Sequence, residues 1–314
     1  MNEIFAEKTP EFADVLAAAA RIARHAHVTP VLRSRTLDAL AGAELFFKCE
    51  NFQRAGAFKF RGACNAVCSL SDDEAPRGVV THSSGNHGAA LALAAKTRGI
   101  PVHVVVPEGA VKSKLAAIEA YGAQLNFCAP TMAAREAMAA QVQARTGATL
   151  VHPFTDPRVI AGQGTAALEL ASEIDNLAVV LAPIGGGGLI GGTAIAIAGC
   201  AVGTRVVAAE PDGADEAWRS LQGGVRVTEH SPKTVCDGLR GTLGEINFTL
   251  LRRYGVDILR VSDDDTLAAQ RLLAERMKIV AEPSSAIVLA AVLRHRDRFA
   301  GQRIGLIITG GNVE

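Results

Sequence analysis

The chain has 314 residues, 49% hydrophobic and 4% aromatic, with 32 basic and 32 acidic side chains and a formal net charge of zero. That length supports two domains with large buried cores, and the composition suits a helix-rich α/β protein. Balanced charge gives no footprint for nucleic acid or an anionic membrane surface. The polar N-terminus MNEIFAEKTPEF is no secretory signal, and no apolar run is long enough for a membrane span, so a cytoplasmic protein is expected.

The first pattern is helical: Phe12, Val15, Leu16, Ile22 and Ala23 recur at helix spacing across residues 11–25, and Thr29-Pro30 stops them. A turn and short helix over 34–40 precede a strand at 45–48. A polar, glycine-bearing turn at 51–56 then delivers Ala57-Phe58-Lys59-Phe60-Arg61-Gly62, which opens a helix running through Val67. Lys59 is set between two phenylalanines at a helix N-terminus. Partial desolvation and the positive end of the helix dipole both favour the neutral, nucleophilic amine that Schiff-base chemistry requires. After a polar linker at 71–77, strands at 79–82, 102–106 and 124–127 alternate with helices at 89–98, 113–121 and 132–146, the pattern of a parallel sheet. The turn Ser83-Ser84-Gly85-Asn86-His87-Gly88 joins the first strand to the first helix. Taken alone, such a Ser-Ser pair reads as a helix cap, and Arg135 on the last helix as a solvated side chain.

His152-Pro153-Phe154-Thr155-Asp156-Pro157 breaks the alternation as a hinge. A helix at 164–174 and a buried strand at 178–184 follow, then Gly185-Gly186-Gly187-Gly188, an apolar helix to Ala201 and a strand at 205–210. Successive glycines between a buried strand and a helix leave backbone amides bare, a cradle for a phosphate. The same run fits GxGxxG as Gly186, Gly188 and Gly191, with Glu210 ending the next strand, so a nicotinamide-dependent dehydrogenase is the alternative from a different class. Residues 212–248 are turn-rich and resist assignment. Asp263 is expected to cap a helix to Met277, Pro283 opens another reaching His295, and a final strand at 303–309 ends in Thr309-Gly310-Gly311-Asn312. The six cysteines form no CxxC pair, and even Cys64 and Cys68, one helical turn apart, read as buried reduced thiols.

Lys59 in AGAFKFRGA, the 83–88 turn, the 185–188 glycine run and the terminal Thr309-Gly310-Gly311-Asn312, in this order and spacing, resemble one family over almost the whole chain. It is the pyridoxal-phosphate enzymes of the tryptophan-synthase-β-like fold (fold type II), in the serine/threonine dehydratase and serine racemase branch. The resemblance implies a two-domain α/β fold, each domain a mostly parallel sheet flanked by helices. Residues 1–68 and 153–314 would form the large cofactor domain, and residues 69–152 a small mobile domain closing over substrate. Lys59 would hold pyridoxal 5′-phosphate as a Schiff base and then act as base at the substrate Cα. Phe58 would pack beside the cofactor ring, Gly185, Gly186, Gly187 and Gly188 would hold its phosphate, and Asn86 would bond its 3′-oxygen. Thr309 would face the pyridine nitrogen; a hydroxyl there does not stabilise a protonated ring, which suits loss of a β-hydroxyl.

The same resemblance implies that Ser83, Ser84, Asn86 and His87 bind the substrate carboxylate, with Ser84 as the acid/base opposite Lys59 and Arg135 able to reach substrate. Glu210, the Ala214 carbonyl and Glu216 resemble the family's cation loop, with glutamate at 216 where aspartate is usual. Such oxygen ligands suit Mg²⁺, with Ca²⁺ or Mn²⁺ as alternatives. The implied activity is dehydration of L-serine or L-threonine to a 2-oxo acid and ammonia, with serine racemisation alongside, by a homodimer. Dehydration of 3-hydroxyaspartate is the alternative within the family.

Overall fold

The computed structural model describes residues 9–313. Its strands are β1 (Val31–Leu32), β2 (Glu44–Cys49), β3 (Val79–Thr81), β4 (Val102–Pro107), β5 (Gln124–Cys128), β6 (Thr149–Leu150), β7 (Val179–Pro183), β8 (Arg205–Pro211), β9 (Asp257–Val261) and β10 (Arg303–Ile308). They form a six-stranded sheet in the order β1-β2-β10-β7-β8-β9 and a four-stranded sheet in the order β5-β4-β3-β6. Apart from β1, which runs antiparallel to β2, every pairing is parallel. The central strands read as near-continuous apolar runs because helices cover both faces of a parallel sheet. In β7 and β4 every residue is buried.

On the large sheet, one face packs Leu45, Phe47 and Leu306 against helix Pro283–Arg294. The other packs Val180, Ala182 and Ile307 with helices Pro157–Glu173 and Gly188–Cys200. On the small sheet, Val79 and Val104 join the core of helices Lys59–Cys68 and Asn86–Arg98, while Val80 and Val105 face helix Met132–Thr146. No helix among the described residues is long and apolar enough to cross a membrane.

Several expectations need correction. Strand β9 and the helices Glu216–Gly223 and Glu245–Arg253 occupy stretches for which the sequence suggested no element. The helix expected at 164–174 is Pro157–Glu173: Asp156 caps it, its Oδ1 accepting from Arg158 N at 2.9 Å, and Pro157 takes the first helical position. Ser262 rather than Asp263 caps the helix Asp263–Leu272, its Oγ accepting from Asp265 N at 3.1 Å. A π turn, Leu273–Met277, continues that helix.

Beneath helix Lys59–Cys68 lies a closed ionic cluster. Arg61, fully buried, pairs bidentately with Glu50 (2.7 and 2.8 Å) and with Glu169 (2.7 Å twice). Lys48 Nζ lies 2.6 Å from Glu169 Oε2 and donates to Thr29 O at 2.7 Å. Two cations and two carboxylates balance, as buried charges must.

Candidate active site

A cleft of about 660 Å³ opens at the carboxyl ends of β3, β4, β7 and β10, where a parallel sheet places its ligands. β10 aligns with β2 so that Ile308 pairs with Cys49, and beyond this register the two chain segments stay joined. Phe58 N donates to Thr309 O at 2.9 Å, and Ala57 bridges Gly310. The Lys59 loop and Thr309 are thereby fixed side by side. Lys59 is half-buried; its Nζ donates to Pro153 O at 3.0 Å and lies 5.0 Å from the centre of the Phe58 ring. Burial brings its amine down to about 8, against a partial opposing pull from the Glu282 carboxylate. An amine so placed is a nucleophile near neutral pH.

The glycine loop lines the same cleft as Thr309. Gly187 has φ of +91°, a conformation glycine adopts freely, and a Cβ on Gly186 would stand 2.3 Å from the Phe154 ring. The Gly186 carbonyl accepts from Asn247 Nδ2 at 2.6 Å and from Gly244 N at 3.1 Å. The amides of Gly185, Gly186 and Gly187 have no acceptor among the described residues, and helix Gly188–Cys200 begins directly behind them. The bare amides and the helix N-terminus fit a phosphate.

Thr309 is buried, with Oγ1 2.7 Å from Ser285 Oγ, and Ser285 Oγ also bonds Gly310 N at 2.7 Å and Gly310 O at 2.8 Å. Asn86 heads its helix. Its Nδ2 donates to both Glu282 oxygens at 3.1 Å, and its Oδ1 accepts from Asn312 Nδ2 at 2.9 Å. Ser83 and Ser84 line the same cleft, but neither caps the helix: the cap is Gly85, whose N–H leans on Ser83 Oγ at 3.4 Å. The Ser84 hydroxyl has no partner among the described residues. His87 is turned underneath, with Nε2 3.2 Å from Val151 O, and burial holds its imidazole well below the usual range. His82 and His152 stack edge-on nearby, and burial lowers both, His152 to about 3. The histidines under the turn are therefore neutral at pH 7. Arg135 lines the cleft from the small sheet, with Nε buried and unpartnered among the described residues.

The expected cation loop lies apart from this cleft, at the end of β8. Glu210 is buried, and its oxygens accept from Ala217 N and Trp218 N, each at 2.8 Å. It is therefore not presented to a ribose, as a dinucleotide site would require. Glu216 Oε1 accepts from Leu243 N at 2.9 Å, while its Oε2 is buried without a partner among the described residues. Burial raises Glu210 to about 8 and Glu216 to about 7. Asp215 is paired with Arg219 and Arg260. No three acidic, imidazole or thiol side chains converge as a metal set among the described residues. The orphaned Glu216 oxygen near a second buried carboxylate still fits a hard cation completed by a backbone carbonyl.

Sequence reasoning missed Asn247, Glu282 and Ser285. Only Glu282-Pro283, an acid directly before a helix-opening proline, left a local trace.

Residues 22–310 match the family described as pyridoxal-phosphate dependent enzyme. The chain is 48% identical over 305 residues to the β-hydroxyaspartate dehydratase of Paracoccus denitrificans, covering 97% of each chain. It is 46% identical over 306 residues to the serine racemase of Dictyostelium discoideum, covering 96% of this chain and 94% of that one. The crystal structure of that racemase superposes with a TM-score of 0.94, covering 98% of this chain and 100% of the other. A match of this extent, falling on a chain whose cleft holds the Lys59 amine beside a loop of bare glycine amides, places the protein in the pyridoxal-phosphate-dependent enzyme family, with its fold type II architecture.

Proposed function

We propose that the chain eliminates water from small β-hydroxy amino acids, releasing a 2-oxo acid and ammonia, and racemises serine alongside. The observation that carries this reading is one cleft holding both the low-pKa Lys59 amine and the unpartnered Ser84 hydroxyl. Pyridoxal phosphate, seated by Lys59 and the glycine amides with Phe58, Asn86 and Thr309 around its ring, would supply the electron sink for the pair left at Cα. Lys59 takes the Cα proton from its own side. The amides and hydroxyls of the Ser83-Ser84 turn, with Asn86 at the helix start, hold the substrate carboxylate. The buried imidazole of His87 supports the turn from below. The β-hydroxyl departs as water with the proton that Lys59 has taken from Cα. Residues 69–152 close over the cleft against residues 1–68 and 153–314 and exclude solvent. Glu210, the Ala214 carbonyl and Glu216 seat a divalent cation, Mg²⁺ first. The family resemblance supports a cytoplasmic homodimer.

A second substrate reading has its own observation. The unpartnered Arg135 Nε in the cleft wall suits a second carboxylate, as in 3-hydroxyaspartate, and the relative from Paracoccus denitrificans is named for that substrate. One experiment addresses both readings: incubate the holoenzyme with L-serine, L-threonine and the 3-hydroxyaspartate stereoisomers, and assay 2-oxo acid and enantiomer content. Release of 2-oxo acid is expected, and none from any substrate would overturn the activity. Arg135→Ala should lower kcat/KM on 3-hydroxyaspartate by about tenfold or more while sparing serine. Equal effects on both would remove the second reading.

A further inference from the structure

We infer that Asn247 is a positioning residue that holds the glycine loop with its amides facing the cofactor phosphate; this rests on the reading that the loop takes that phosphate. Asn247 is fully buried on helix Glu245–Arg253 and belongs to no motif of the chain. Its Nδ2 donates to Gly186 O at 2.6 Å and to Phe154 O at 2.8 Å. Gly244 N donates to the same Gly186 oxygen at 3.1 Å.

The consequence follows from peptide geometry. In a trans peptide the C=O and the following N–H point in opposite directions. Two donors draw the Gly186 carbonyl away from the cleft, so the Gly187 N–H must turn into it. The positive φ of Gly187 then carries the chain into the helix starting at Gly188, whose first amides are unsatisfied by the helix itself. Without Asn247 the Gly186 peptide loses its shorter restraint and its amide loses its fixed direction.

The second bond of Asn247 extends its reach. Phe154 O belongs to the segment whose Pro153 carbonyl receives Lys59 Nζ, and the Phe154 ring lies against Gly186. One side chain thus ties the phosphate cradle to the perch of the reactive amine. Only a double donor can do this. Asn247 Oδ1 has no partner among the described residues, so the donor end alone makes the link. An aspartate of the same shape would set an acceptor against two carbonyl oxygens.

The test compares pyridoxal phosphate with pyridoxal, which lacks the phosphate, titrated into wild-type, Asn247→Asp and Asn247→Leu apoenzymes and followed by absorbance of the lysine adduct. Asn247→Asp should weaken pyridoxal phosphate by about tenfold or more, the range for hydrogen bonds to a charged group, and weaken pyridoxal, which feels only the lysine perch, several-fold less. Asn247→Leu, which keeps the volume, is read in the same way if the charged variant does not fold. Equal weakening of both compounds, or of neither, would overturn the inference. A wild type that binds pyridoxal as tightly as pyridoxal phosphate would overturn the phosphate reading itself, and this inference with it.

Discussion

Lys59 differs from an ordinary lysine by its protonation. With its amine brought from 10.5 to about 8, roughly a tenth of it is neutral at pH 7, against roughly three parts in ten thousand for a free side chain. The neutral share shrinks as pH falls, so attachment of the cofactor aldehyde should slow on the acid side of pH 8. Ser84 differs from an ordinary helix-start serine by what it does not do: Gly85 takes the cap, and its hydroxyl stays free to meet a ligand. Racemisation needs an acid/base on the face opposite Lys59, because a single group returns the proton where it took it. Ser84→Ala should therefore abolish racemisation while most L-serine dehydration survives, and Lys59→Ala should abolish both. Chiral analysis of serine beside a pyruvate assay checks this. Wild-type racemisation by Ser84→Ala would place the opposite-face group elsewhere.

Helix Lys59–Cys68 presents the amine accurately because Arg61, two residues on, is locked into the ionic cluster below it. Removing Arg61 would leave Glu50 and Glu169 with one lysine between them in a buried site. Arg61→Met should cost about 3–5 kcal/mol, read as a lower denaturant midpoint with an unchanged slope. A midpoint shift near zero would show that the cluster is dispensable.

This scale is also where legibility divides. The alternating strands and helices of residues 79–146 and the buried β7 and β10 were readable because their apolar runs are long and their punctuation is glycine and proline. β9 was not: Asp257 and Arg260 interrupt its apolar positions, and it lies between short helices whose faces stay half polar. The lysine, the 83–88 turn, the glycine run and Thr309 were legible because each sits in a local motif. Asn247, Glu282 and Ser285 gain their partners only when distant segments converge, and nothing adjacent in sequence marks that convergence. Ser285 reaches Thr309 across the start of helix Pro283–Arg294, and Asn86 reaches Glu282 from the other sheet.

Across the whole molecule, two sheets turn their carboxyl edges toward one cleft, and Asn86 bonds from one side to Glu282 and Asn312 on the other. Away from the cleft, the buried pair Glu210 and Glu216 gives the proposed cation a place in the large sheet's framework. A cation bound only by the folded state adds stability. Chelation should thus lower the melting temperature, and Glu210→Gln should remove that sensitivity. Identical melting of chelated and Mg²⁺-replete protein would leave the loop a turn and nothing more. The central claim, that this cleft works through Lys59, is tested most directly by borohydride reduction of the pyridoxal-phosphate-loaded protein followed by peptide mass mapping. The predicted result is a single pyridoxyl adduct on Lys59; an adduct on another lysine, or none, would contradict the account.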